Sequence, residues 1–494
     1  MKSPARAALI GSLLLSGCNL APAYKPPHFL LPDSYQGTPP FEVAHPDQEL
    51  APRGNWWTLF NDLELSQLEE RAAKENPTLQ AAVEQYTQAR DLAAEAQSAL
   101  YPQVSATAEA SDNRQSQQRL FRGSTTTPNV EASNEILGAA SWEPDFWDEI
   151  RNRAHQQKRL AQASAADLET VRLSMQAELA TDYFAIRGLD SEAVALCEAI
   201  LAYKQAVLVT QLRYHGGIGS GLDLARASSQ LGTAEAQLSD TALQRDLLQH
   251  ALAVLIGALP STFTLAPRHE GAPAPPTIPL GLPAELLQRR PDVASSERQM
   301  AAANAAIGVS RAAFYPNVTF FGNAGYQGNS WHFLNLPDTL WSVGSQAMLP
   351  LFEGGLRRAE LQRSWSAYAQ TRDNYRATVL AAFQEVEDGL SLTQRLESEV
   401  AQQQEASQQA SEALAISTKL YEDGLDNYLS VSVAQVTQLA ARIAQIQVQT
   451  RQMQAAVTLI RAIGGGWTEQ ELPTEKQVIP FGPLDYAIPR PQTN

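Results

Sequence analysis

Cysteine is nearly missing from this 494-residue chain, which has only Cys18 and Cys197. With Cys18 inside an N-terminal leader, Cys197 has no partner for an intramolecular disulfide. It sits in an alanine-rich helical pattern and reads as a small buried side chain, not as a reactive thiol. The seven histidines are scattered. His-Glu-x-x-His, Gly-x-Ser-x-Gly and a phosphate-loop motif are all lacking, which removes the enzyme classes those motifs serve. Gly216-Gly-Ile-Gly-Ser-Gly221 lacks the Lys-Ser/Thr ending and follows a helical pattern instead of a strand, so it reads as a turn. Five methionines and dispersed histidines give no support for metal-ion export. No catalytic residue, cofactor or metal is implied. Positive charge is also scarce, with 37 Lys and Arg against 53 Asp and Glu and a formal charge of −16. Without a basic patch to offset that balance, nucleic-acid binding is excluded.

The first residues carry an address. Met1-Lys-Ser-Pro-Ala-Arg6 is a charged start, Ala7 to Leu15 a short apolar run, and Ser16-Gly17-Cys18 a small-residue cleavage site. The run is too short to cross a bilayer as a helix. Leu15-Ser-Gly-Cys18 resembles the bacterial lipobox, which implies cleavage after residue 17 and lipidation of Cys18. Asn19 after the cysteine implies sorting to the outer membrane. Loss of Lys2 and Arg6 with the signal leaves a mature charge of −18. Residues 18–54, rich in proline, read as an extended lipid-anchored leader, and ordered structure is expected from Asn55-Trp-Trp-Thr-Leu-Phe60.

The rest of the chain is written twice. Tyr214 and Tyr421, Gly217 and Gly424, Leu222 and Leu429, and Gly257 and Gly464 each lie 207 residues apart. A constant step marks an internal duplication, with copies over 55–260 and 284–463, a proline-rich linker over 261–283 and a loop-like tail over 464–494. Each copy has a helix ended by Tyr-Pro, at Tyr101-Pro102 and Tyr315-Pro316. Thr78 is a candidate cap for the first of these. Two weakly alternating segments of about ten residues come next, the length of a tilted transmembrane strand. The hairpins span 103–142 and 317–348. Glu143-Pro-Asp-Phe-Trp-Asp148 closes the first and caps a very long helix. The long helices are expected over 150–214 and 356–421, and the returning helices over 222–256 and 429–463. Apolar residues three and four apart, with no proline, give the long ones a coiled-coil-like pattern. Each would be roughly 100 Å long at about 1.5 Å per residue, so a short helix and a returning helix stacked end to end match one long helix.

Four strands cannot close a barrel, and an open sheet edge in lipid leaves backbone groups without partners. Either the strands are outside a membrane or several chains share one barrel, and a lipidated terminus favours the second. Periodicity alone leaves open a solid bundle without a lumen.

Tyr24-Lys-Pro-Pro27, Trp56-Trp-Thr-Leu-Phe60, Asn76-Pro77, Arg290-Pro-Asp-Val293 with Glu297, Phe314-Tyr-Pro316, Pro350-Leu-Phe-Glu-Gly-Gly355 and the two Tyr-x-x-Gly turns occur in order. Together they resemble the TolC-like outer-membrane factor family, in particular its lipoprotein branch of the OprM and NodT type, over nearly the whole mature chain. The resemblance implies a mainly α fold with transmembrane β structure: a homotrimer with a twelve-stranded β-barrel in the outer membrane and a twelve-helix α-barrel through the periplasm. It implies a periplasmic adaptor and an inner-membrane pump of the RND type as partners, beside outer-membrane lipid. The function implied is passive conduction of drugs or toxic solutes, gated at the periplasmic end.

On that resemblance the adaptor contact is expected at Arg213, Tyr214, Gly217, Leu222, Asp223, Leu224, Tyr421, Gly424, Tyr428 and Leu429. Glycines there permit turns that a β-carbon would obstruct, and Asp223 suits a helix N-terminus. The lipoprotein branch commonly has an aspartate just before Ala-Gln in the second returning helix, where this chain has Val433-Ala-Gln435. Closure is therefore expected from Leu429 and Val433 as an apolar constriction, with Asp223, Asp426 or Arg226 nearby. A duct for protein secretion and a non-conducting periplasmic coiled-coil lipoprotein are the competing readings. The lipobox favours solute efflux over the first, and the strand candidates oppose the second.

Overall fold

The computed structural model describes residues 19–27, 55–114, 116, 130–268, 275–276, 278, 287–329 and 336–485. The signal segment, Cys18 and most of the leader lie outside them.

The first copy runs α1 (Leu63–Glu75), α2 (Pro77–Ser98), β1 (Gln103–Arg114), β2 (Val130–Trp142), α3 (Glu149–His215) and α4 (Gly221–Leu255). The second runs α5 (Pro291–Ala312), β3 (Asn317–Gly328), β4 (Thr339–Met348), α6 (Leu356–Glu422) and α7 (Tyr428–Ala462). Both long helices have 67 residues and both returning helices 35. Their boundaries repeat at the 207-residue step.

Local chemistry fixes the ends. Asn76, not Thr78, caps α2: its side chain accepts from Leu79 N at 2.9 Å, with Pro77 at the first helical position. Proline there needs no N–H partner and presets φ, so the cap falls one residue before it. At the start of α3, Asp148 is left-handed at φ 52° and makes no side-chain cap. Asp145 does that work, its carboxylate accepting from Ile150 N and Arg151 N at 3.1 and 2.8 Å.

The helices stand in a four-column wall. α3 packs against α2 and α4 on one side and against α5 and α7 on the other, and α6 packs against α5 and α7. The columns are therefore α4 with α2, then α3, then α7 with α5, then α6. Within the first, the carboxyl end of α4 meets the amino end of α2: Asn76 Nδ2 donates to Leu255 O at 2.7 Å. Within the third, Arg290 Nη1 donates to Ala462 O at 2.9 Å, the same contact one repeat later. Arg290 is also paired with Asp292 and Glu385. A cation against the carbonyl end of a helix suits its dipole.

The chain leaves each returning helix through a left-handed glycine, Gly257 at φ 70° and Gly464 at φ 97°. Both close Schellman turns: Gly257 N donates to Val254 O and Ala258 N to Ala253 O, and Gly464 N to Arg461 O and Gly465 N to Ile460 O.

The main core lies at this level, where Trp56, Phe60, Leu65, Tyr183, Phe184, Leu252, Ile256, Val293, Met300, Leu390 and Val457 are all buried. A buried polar network ties α1, α3, α4 and the linker. Arg187 binds Asp190, Glu64 and Ala266 O, Arg245 binds Asp190 and Leu265 O, and Arg268 and Tyr183 both bind Asp62. Leu265 and Ile278 enter the core, so the linker is packed and is more than a connection.

Two expectations are corrected. Order begins before Asn55, because Asn19–Pro27 is strapped to α3 and α5: Asn152 Nδ2 donates to Asn19 Oδ1, Asn304 Nδ2 to Pro22 O, Arg311 to Leu20 O and Tyr24 OH to Glu297. Cys197 is exposed on the single chain. Leu196 and Ile200 point into the local cluster, and one residue past Leu196 lies about 100° further round a helix.

The four turn glycines separate two costs. A β-carbon on Gly257 would lie 2.3 Å from Glu75 O and one on Gly464 1.9 Å from Arg289 O, whereas Gly217 and Gly424, also at positive φ, have nothing within 4 Å. Gly217→Ala and Gly424→Ala are expected to cost about 1–2 kcal/mol each for left-handed backbone. Gly257→Ala and Gly464→Ala are expected to cost clearly more, measured as larger drops in the chemical-denaturation midpoint.

Candidate functional site: the strand sheet and the helix turns

The strands form one antiparallel sheet in the order β1-β2-β3-β4. Its register divides the side chains between two faces, since directly paired residues share a face and faces alternate along each strand. Val104 pairs Ala140, Ala106 pairs Gly138 and Ala108 pairs Ile136. The same face continues through Trp142 with Phe320, Ile136 with Tyr326, Ala324 with Trp341 and Val318 with Ala347. From Val104 to Ala110 and across these partners the face carries no acidic or basic side chain. Trp341, Val343 and Val104 are 77%, 78% and 79% exposed on it. Trp142 stacks on Phe320 at the base of the sheet, and its indole N–H donates to Leu100 O.

The opposite face is the more polar one, although Leu137, Phe321, Leu340 and Met348 also stand on it. It carries Gln103, Ser105, Thr107, Glu109, Thr319, Asn323 and Gln346, and Glu109 stands directly across from Glu135. One face for lipid and one for water is the division a barrel wall needs.

At the far end of the wall are the two helix turns. Gly217 at φ 71° and Gly424 at φ 74° close them. Ile218 N donates to Arg213 O at 3.0 Å and Leu425 N to Leu420 O at 2.8 Å. The next helices are capped alike, Ser220 Oγ accepting from Leu222 N and Asn427 Oδ1 from Leu429 N.

The expected tip residues divide by environment. Tyr214, Leu222 and Leu429 are exposed, as are Gly217 and Gly424, while Asp223, Leu224 and Arg226 are distributed along the start of α4, the first two half-buried and Arg226 half-buried one turn on. Arg213 lies over the Tyr421 ring at 4.7 Å and joins the two turns. Tyr421 meets Tyr428 edge to face at 5.6 Å.

Tyr428 is in the interior. Burial, with Tyr421, Tyr203 and Asp223 adding to it, pushes its phenol up to about 12. It therefore keeps its proton at any physiological pH and stays a neutral donor, reaching Gln230 Oε1 at 3.5 Å. Gln230 in turn donates to Ser432 O, so α4 and α7 meet through polar groups here. Beside that seam lies a cavity of about 190 Å³ lined by Tyr203, Gln230, Thr233, Val436, Leu439 and Ile443, among others.

Leu429 and Val433 lie on one exposed stripe of α7 that continues to Val436. The repeat sets Arg226 of α4 where α7 has Val433, and Asp426 lies half-buried in the turn before α7. Two residues escape the sequence reading. Ile218 and Leu425, each 75% exposed, form the apolar tips of the turns. Their equal spacing from Gly217 and Gly424 is the signal that points to them.

A family model described as outer membrane efflux protein matches residues 68–258 and 282–465, once over each copy. The chain belongs to this family. It is 30% identical over 462 residues to the pyoverdine export outer membrane protein OpmQ of Pseudomonas aeruginosa, covering 92% of this chain and 95% of that one. It is 27% identical to the toluene efflux pump outer membrane protein TtgC of Pseudomonas putida, covering 93% and 95%. Among solved structures, the outer-membrane channel OprN superposes with a TM-score of 0.81 at 26% identity, over 90% of this chain and 99% of that chain. The Campylobacter jejuni CmeC outer membrane channel, at 22% identity and a TM-score of 0.84, shares the fold over 92% of this chain and 96% of its own. An outer-membrane efflux channel is thus the setting in which the sheet and turns act.

The two sheet faces make different predictions for one chemical change. Ala324→Arg on the apolar face is expected to destabilise the membrane-inserted protein by about 2–4 kcal/mol per chain if it lies near the bilayer midplane. Ser342→Arg on the polar face is expected to fold normally. Urea titration in phospholipid vesicles, read by the gel shift of unheated samples, measures both.

Proposed function

We propose that three copies of this chain close into one duct, anchored through lipidated Cys18, that passively conducts small molecules out of the periplasm. The observation that carries this reading is the pair of unfinished edges on each chain. α3 buries side chains from Asn152 to Thr210, but α6, equally long, buries only eight residues between Tyr375 and Ser407, and α4 only five. β1 and β4 likewise have one unpaired side each among the described residues. Backbone groups at a bare sheet edge cannot stay unpaired in lipid. Rotation about the long axis supplies a partner to both edges at once, and three four-stranded sheets make a barrel of about twelve strands, within the range such barrels take.

The tapered turns are the gate and the docking end. Leu429 and Val433 form the apolar constriction, Arg226 and Asp426 stand beside it, and Arg213 over Tyr421 latches one hairpin to the other. Tyr214, Ile218, Leu222, Leu425 and Leu429 offer the apolar surface to a periplasmic adaptor, which links the duct to an inner-membrane pump of the RND type. The relatives' names support small solutes over proteins as cargo, since OpmQ is named for pyoverdine export and TtgC for toluene efflux.

Planar-bilayer recording and mass measurement in detergent test the reading. A trimer with stepwise conductance is expected, and a monomer that passes no ions would falsify it. Leu429→Ala or Val433→Ala is expected to raise single-channel conductance; no change in either removes the apolar constriction. Arg213→Ala, which deletes a contact of about 0.5–2 kcal/mol, is expected to raise the open fraction without altering the fully open conductance.

A further inference from the structure

The C-terminal tail takes a directed path. From the carboxyl end of α7 it first meets α5, where Arg298 binds Glu469 and Trp467 packs with Ala294. It then crosses α3: Gln162 Nε2 donates to Pro473 O at 2.8 Å, and Glu475 binds both His155 and Arg159. It reaches α2 at Val478, which is wholly buried against Ala93 and Ala161, while Arg90 Nε donates to Val478 O at 3.2 Å. Over this short run the tail has crossed the wall from the third column to the first. The first column is an edge, and among the described residues nothing in this chain lies beyond it.

Past Ile479, which still packs on that cluster, the tail is exposed and mainly apolar up to Leu484. Phe481 is 51% exposed and Leu484 82%, and Leu92 on α2 is 53% exposed. The stretch from Val478 to Asp485 spans at most about 25 Å, and neighbouring helices are about 8–10 Å apart. The end of the tail therefore has the reach to pass the edge.

Given the trimeric reading proposed for this chain, on which this step rests, the next column is α6 of the neighbouring copy. Rotation about an axis along the helices leaves height unchanged. The tail crosses α3 at Ala161, and the 207-residue step that relates α3 to α6 puts Tyr368 at the same height. Trp365 and Tyr368 meet there edge to face at 6.4 Å; Tyr368 packs on its own chain's core, and Trp365, with Arg311 of α5 over its ring at 5.3 Å, remains 37% exposed on the single chain.

We propose that the tail is a clasp between subunits, with Phe481 and Leu484 of one copy packing on α6 of the next around Trp365 and Tyr368. Both partners are apolar or aromatic, so the contact removes exposed surface from water on both sides. The clasp sits outside the strand barrel and away from the gate, so it governs assembly and leaves conduction alone.

The full-length protein with p-benzoylphenylalanine at position 481 tests this without thiol chemistry at Cys197. Irradiation is expected to give chain-to-chain adducts whose linked peptide contains Trp365 or Tyr368. Adducts confined to α2 of the same chain would overturn the clasp. A double variant, Phe481→Ser with Leu484→Ser, keeps Val478 and the ion pairs of Glu475. It is expected to lower the temperature at which the detergent-solubilised trimer dissociates by several degrees, with unchanged helix content and unchanged conductance of surviving channels. An unaltered dissociation temperature counts against the clasp equally. Failure of the unsubstituted chain to form trimers would instead sink the assembly reading and the clasp with it.

Discussion

Everything in this architecture depends on two helices being made to act as one. A 67-residue helix needs a neighbour of equal length, and the chain builds it from two pieces that meet end to end. The meeting point is the same in both copies. A left-handed glycine ends the returning helix, a proline starts the short helix, and the residue before that proline donates to the last carbonyl of the helix it abuts. The stack sets the amino end of one dipole against the carboxyl end of the other, which is the favourable sense. No β-carbon fits at either glycine. The largest part of the core and the buried arginine networks gather at this level, where the columns would otherwise come apart, and the terminal segments pack between it and the strands.

A single chain satisfies only the interior of its wall. The second and third columns are covered on both flanks, and the first and fourth on one. The sheet repeats the pattern with two paired strands inside and two half-paired strands outside. Helical flanks left in water lose burial worth about 25 cal/mol per Å², but strand edges left in lipid leave donors and acceptors without partners, a larger cost per group. The membrane segment therefore imposes closure more strictly than the helices do. The helical columns, Ala-rich and close-packed, adopt the same rotation because they continue from the strands.

Much of this is legible in the residues. The 207-residue step reveals the duplication, and through it the long and returning helices to within a residue at either end, because glycine and proline mark helix ends by backbone geometry. β2 is less legible. Near its start, Glu131 to Asn134 are polar or small, so the alternation that marks a strand begins only at Glu135. Thr78 attracts the reading of a cap because it stands next to the proline, although a proline at the first helical position places the cap before itself, at Asn76. The burial expected for Cys197 fails because composition gives a helix its burial on average, whereas its face is set by packing on one side only. At the turns, the exposed Leu429 and the interior Tyr428 are neighbours in sequence, and only the direction of the α7 axis separates their roles.

The two copies agree in backbone and differ in chemistry where conduction would be controlled. Their turns share glycine position, cap and hydrogen bonds, so the backbones are equivalent to within the repeat. Yet Arg226 answers Val433, His215 answers Glu422, and Gly219 answers Asp426. Around a closed ring these positions would alternate between a cation and an apolar side chain, and between neutral and acidic groups. Such a ring cannot close by uniform apolar contact: a guanidinium between valines must either reach water or find an acid, and Asp223, one turn before it on its own helix, is the nearest in sequence. On the gate proposed above, opening would rehydrate charge as well as exposing Leu429 and Val433. The electrostatic gain would offset part of the apolar cost and leave that proposed gate less tightly shut than a ring of valines would be.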